Sequence, residues 1–79
     1  MGPTVFRERG YRFFFFSREE ERKHVHVISG DGEAKLWLEP EIAVAKSFGY
    51  NAQQLKEITE MVEAHKDELV SAWQDHFGS

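Results

Sequence analysis

Seventy-nine residues make a single domain, and a chain of this size buries only about 60% of the surface that its unfolded form exposes, so its core must be small. Without cysteine it has neither a disulfide framework nor a thiolate metal site; it has no apolar run of membrane-spanning length, and a cytoplasmic location is expected. The net charge of −4 argues against uniform basicity, yet residues 1–36 hold seven of the ten Lys and Arg against six acids, while residues 37–79 hold three against eight, so an anion belongs with the first half.

From the N-terminus to Glu39 the chain is aromatic and β-branched, with turn signals between the runs. "TVFRERGYRFFFFS" reads as a short strand, a turn ending at Gly10 and a longer strand over Tyr11 to Phe16. "HVHVI" and "EAKLWLE" supply two more. The links are short, so neighbours should pair as antiparallel hairpins in a meander of three to four strands over about residues 4–39. Pro40 is tolerated in a first helical turn, predicting a short helix over Glu41 to Phe48 that ends at Gly49. Asn51 and Gln54 form a capping box for a second, long helix. Its stripe runs through Leu55, Ile58, Val62, His65, Leu69, Ala72, Trp73 and His76. The expected architecture is α+β, one domain over 1–79, with two C-terminal helices (about 41–77) packed on one face of the sheet.

Alternation assigns the faces. If the helices take the more aliphatic side, Val25 and Val27 share it with Ala34, Leu36 and Leu38, joined by Tyr11, Phe13 and Phe15. The outer face then carries His24, His26, Lys35 and Trp37, with Arg12, Phe14 and Phe16. "FFFF" fits either phase; Arg12 breaks the tie, and a bulge would reverse part of the assignment.

Two imidazoles, several cations and several rings on one open face suit RNA. Rings stack unpaired bases and Arg and Lys hold phosphates. An imidazole can take the proton of a ribose 2′-hydroxyl as it attacks the adjacent phosphate. On this reading His24, His26, Lys35 and Arg12 are catalytic candidates for metal-independent RNA cleavage, and Trp37, Phe14, Phe16, Arg22 and Lys23 are binding residues. The same face equally suits an oligomer interface or a contact with a partner protein. A metal site fits less well, because His-x-His supplies two ligands and no third stands at a recognisable interval.

His65 reads as a structural histidine that hydrogen-bonds the sheet, and His76 as incidental. "SREEERK" is a charged turn whose Arg18, Arg22 and Lys23 extend the basic patch; "SGDG" is a turn. The sequence has no phosphate-binding glycine loop, nucleophile elbow or carboxylate pair set for glycoside chemistry, and no cofactor is expected.

"PTVFRERGYRFFFFS", "HVHV", "AKLWLEP" and the helical pattern through His65 together resemble the bacterial domain-of-unknown-function family numbered 4160, over nearly the whole chain. Its His-Val-His-Val motif maps onto His24 to Val27, its Ala-Lys-x-Trp-Leu-Glu-Pro onto Ala34 to Pro40, and its helical histidine onto His65. Members are small standalone proteins, often beside a second small protein, and some are labelled toxins of type II toxin–antitoxin pairs. The resemblance therefore implies a toxin-like component with a small antitoxin-like partner encoded nearby. There are two departures: Lys23 stands where the family usually has proline, and Gly2 intervenes in its usual Met-Pro-Thr start. The function expected is that of a toxin-like protein acting on RNA through the outer face. The alternative is a non-catalytic module that binds protein or nucleic acid there.

Overall fold

The computed structural model describes residues 4–15 and 22–78. In chain order they form β1 (Thr4–Glu8), β2 (Tyr11–Phe14), β3 (His24–Ile28), β4 (Glu33–Trp37), β5 (Ala43–Phe48), α1 (Ala52–Ala64) and α2 (Lys66–Phe77). The strands make one sheet in the order β1-β2-β3-β4-β5, each neighbouring pair antiparallel. The link from β1 to β2 is only Arg9 and Gly10, whose φ values of 53° and 84° are the left-handed pair that matches a tight hairpin to strand twist.

Arg12 does break the tie in the phenylalanine run. Phe13 faces Val27 across the β2–β3 ladder, and both are buried on the helix side with Phe15, Val25, Leu36 and Leu38. Ile58, Met61 and Val62 of α1 and Leu69 and Trp73 of α2 close this core from above. One half of the alternation in β2, β3 and β4 thus forms the core, leaving the other half for the opposite face.

Two expectations are corrected. Residues 43–48 are a fifth strand, where a helix over Glu41 to Phe48 was predicted, and the meander exceeds three to four strands. Ile42, Val44 and Phe48 favour a pleated surface, and the ladder to β4 satisfies backbone groups that β4 would otherwise leave at an edge. Gly49 serves this strand instead of ending a helix. Its φ is 88°, and a Cβ there would collide with the Asp31 carbonyl, as one on Gly32 would with the Phe48 carbonyl. The β3–β4 turn therefore packs directly on the end of β5. Tyr50 locks the junction, its hydroxyl donating to the Gly32 carbonyl at 2.8 Å and lying 2.9 Å from Ser29 Oγ. Burial pushes the Tyr50 phenol above its ordinary pKa, against the opposing effect of the Ser29 hydrogen bond.

The second correction concerns the long helix. The Asn51–Gln54 capping box forms, the Gln54 amide donating to Asn51 Oδ1 at 2.8 Å and the Asn51 amide to Gln54 Oε1 at 2.9 Å. The helical stripe, however, breaks at His65, which joins α1 to α2. There the ring stacks on Phe6 of β1, centroids 4.0 Å apart. Nδ1 lies 2.8 Å from Glu68 and Nε2 3.0 Å from Glu8. Hydrogen bonds to Glu68 and then Glu8 push the His65 pKa up, outweighing desolvation, because a carboxylate at each ring nitrogen favours the form in which both donate. A histidine tied to the sheet was expected; that it also divides the helix was not.

Candidate nucleic-acid interface on the outer sheet face

Strand register arranges the outer face in rows. Arg7, Arg12, Ile28, Glu33 and Phe48 stand in one row from β1 to β5, and Thr4, Phe14, His26, Lys35 and Lys46 in the next. His24, Trp37 and Ala43 begin a third. Arg7 faces Arg12 and Lys35 faces Lys46, two like-charged pairs directly opposite one another.

The expected groups largely converge here. Arg22 lies over the Trp37 ring at 4.0 Å and Lys35 at 4.5 Å from its centroid, cation–π contacts that hold charge beside an aromatic surface. Arg22 is steadied by donating from Nε to the Glu39 carbonyl at 2.9 Å. Arg12 sits 4.8 Å over the Phe14 ring and donates from Nε to Thr4 Oγ1 at 2.7 Å. Phe14 in turn stacks against His26, centroids 5.6 Å apart, and is buried, so that, against expectation, it supports the outer row and offers no free face for a base. Lys23 does not join the group: its ammonium is 3.6 Å from the Glu39 carboxylate. Phe16 and Arg18 lie outside the described residues.

His24 departs most from expectation. The ladder keeps it opposite Trp37, on the outer row, but its side chain is fully buried. It opens β3 at the end of the sheet, where the large indole of Trp73 comes within 5.2 Å of its ring while Trp37 lies 5.6 Å and His26 5.1 Å away. Nδ1 donates to the Arg22 carbonyl at 2.8 Å. A ring so enclosed orders the start of β3 and holds Arg22 in place; it is not accessible to a substrate. The outer face is therefore closed at its His24 end, while the half-buried His26 borders a cleft with its Nε2 buried.

That cleft has a volume of about 350 Å³, and Phe14, His26, Glu33, Lys35, Lys46 and Phe48 contribute to its lining. Phe48 is 73% exposed, the most solvent-accessible large apolar side chain among the described residues. Lys46, Phe48 and Arg7 were missed in the sequence, the first two because their segment was assigned to a helix. The β-branched and aromatic residues Ile42, Val44 and Phe48 were the available signal.

Charge divides with the layers. The outer rows and Arg22 carry five cations against Glu33, whereas α1 and α2 contain six acids against Lys56 and Lys66. The described residues include no group of three or more His, Cys, Asp or Glu side chains able to hold a metal; the two carboxylates at His65 contact opposite ring nitrogens. Nor is any described helix long and apolar enough to cross a membrane.

Fold and face together define a small α+β protein, an antiparallel meander with helices on one side and a cationic, aromatic surface on the other. The sequence profile of the family described as "Domain of unknown function (DUF4160)" matches residues 10–74, and the chain belongs to that family. Comparison with curated proteins and with solved structures returned no match.

Proposed function

We propose that the outer sheet face binds single-stranded RNA. The observation that carries this reading is the coincidence on one face of cross-strand cation pairs, Arg7 with Arg12 and Lys35 with Lys46, with the accessible rings of Trp37 and Phe48. Phosphates are held by the cations of each pair, and unpaired bases stack on the rings. Double-stranded DNA suits the face less, because its bases are already stacked. The acidic helical layer disfavours wrapping of the strand around the molecule and restricts contact to the sheet. Within a toxin–antitoxin pair this surface would engage the RNA target, and the cognate protein would block it.

Binding is favoured over cleavage because the buried His24 cannot act as a general base. A catalytic reading is reduced to His26 beside Lys35 in the cleft, with Arg12 holding Phe14 in position.

The test is fluorescence anisotropy with labelled single-stranded RNA and duplex DNA at several salt concentrations. Trp37→Ala should weaken RNA binding by about 1–3 kcal/mol per unstacked base. RNA affinity no greater than duplex affinity, or insensitivity to Trp37→Ala, would reject the proposal. For cleavage, RNA integrity is followed with chelator present, where a true base at His26 would make His26→Ala about 10²–10⁴ slower. Controlled expression alone and with the neighbouring gene tests the toxin-like role.

A further inference from the structure

We infer that the cleft between β2 and β5 is a single-nucleotide subsite that prefers bases bearing an exocyclic amino group; this rests on the RNA-binding reading of the outer face. Its volume of about 350 Å³ falls at the small end of ligand sites. Its chemistry is graded along the strands. Glu33 stands directly across the ladder from Phe48, and two residues further along β4 Lys35 stands across from Lys46. A base stacked on the exposed Phe48 ring brings its edge to the Glu33 carboxylate, and its phosphate reaches the paired ammonium groups.

The carboxylate accepts hydrogen bonds and repels carbonyl oxygens. It therefore favours cytosine, whose N4 amino group donates at the edge where uracil carries a carbonyl. Glu33 also repels phosphate from its own end of the cleft and so fixes the direction of the strand. Phe14 and His26, stacked on each other at 5.6 Å, line the cleft from the β2–β3 side. An acid within an otherwise cationic face thus has a function that general electrostatic attraction to RNA does not require.

The experiment is a nuclear magnetic resonance titration of the full chain with CMP, UMP, cytidine and inorganic phosphate, following the amides of His26, Glu33, Lys35, Lys46 and Phe48. CMP should bind at these amides about tenfold more tightly than UMP, the discrimination expected of one base-edge contact. Cytidine and phosphate alone should each bind more weakly than CMP. Glu33→Gln should abolish the preference for CMP over UMP, whereas Lys46→Ala should weaken both nucleotides alike; unchanged α1 and α2 resonances verify that each variant is folded. Equal affinity for CMP and UMP, phosphate binding as tight as CMP, or a preference retained in Glu33→Gln would overturn the inference. Binding of single-stranded RNA without any nucleotide response in the cleft would overturn it alone, while failure of RNA and nucleotides together would remove the RNA reading as well.

Discussion

On the inner face of the sheet Phe13, Val25 and Leu36 are wholly buried beneath α1 and α2, while their chain neighbours Arg12, His26 and Lys35, pointing the other way, are only partly covered. The inner side chains contribute area removed from water; the outer ones contribute charge and π-surface that remain accessible. Substitution on one face should consequently move stability and on the other binding. His24 and Phe14 are the instructive exceptions: both are outer by register and buried, His24 in contact with Trp37 and Trp73 together.

The comparison is broken most severely from the inner side. Trp73→Ala removes a buried indole that packs on Phe15 and on His24, and chemical denaturation should show a loss of about 3–5 kcal/mol. That is a large share of the total for a domain this small. A loss below about 1 kcal/mol would mean that the helices do not close the core as described.

Gly49→Ala should follow, costing more than about 1 kcal/mol, because it needs both a left-handed backbone and space already taken by the Asp31 carbonyl. The same replacement at Gly10, also left-handed but with open space around it, should cost less. Thermal melts of the two variants separate steric collision from backbone conformation.

Replacing His65 with Gln should cost about 1–2 kcal/mol through lost stacking on Phe6 and lost charge-assisted hydrogen bonds. The carboxylates raise the folded-state pKa above the ordinary 6.5, so the electrostatic contribution is complete below that value and disappears as pH rises through the folded pKa. The stability difference between wild type and variant should therefore shrink on going from acid to alkaline pH. A difference that grows with pH would contradict protonation of His65 in the fold.

Lys46→Ala should have the smallest effect on stability, within about 0.5 kcal/mol, since Lys46 is exposed on the edge strand. Its signature belongs to the other face. The slope of log affinity for single-stranded RNA against log salt should fall by about 0.7. An unchanged slope would take Lys46 out of phosphate contact.

Much of this division was legible in local sequence. Arg12 within the aromatic run fixed which phenylalanines turn inward, and Asn51 with Gln54 marked a helix start, because both signals act between near neighbours. β5 was not legible in the same way. Pro40 and Gly49 flank it as they would a helix, and what makes it a strand is the edge of β4 and the close approach of Gly32, both contributed from elsewhere in the chain. Burial of His24 depends on Trp73, and the tie of His65 to β1 on Glu8, each distant in sequence. The outer rows were accordingly anticipated at Arg12, Lys35 and Trp37 but without Lys46 and Phe48, the residues that β5 brings to them.

Photocrosslinking tests the separation of the faces most directly. Single-stranded RNA of mixed sequence is irradiated with ultraviolet light together with the wild-type protein, and the adducts are located by peptide mass spectrometry. The account predicts adducts on the outer aromatic residues Trp37 and Phe48, suppressed at high salt, with none on α1 or α2. Adducts concentrated on the helices, or an outer face that stays unmodified while RNA is bound, would contradict it.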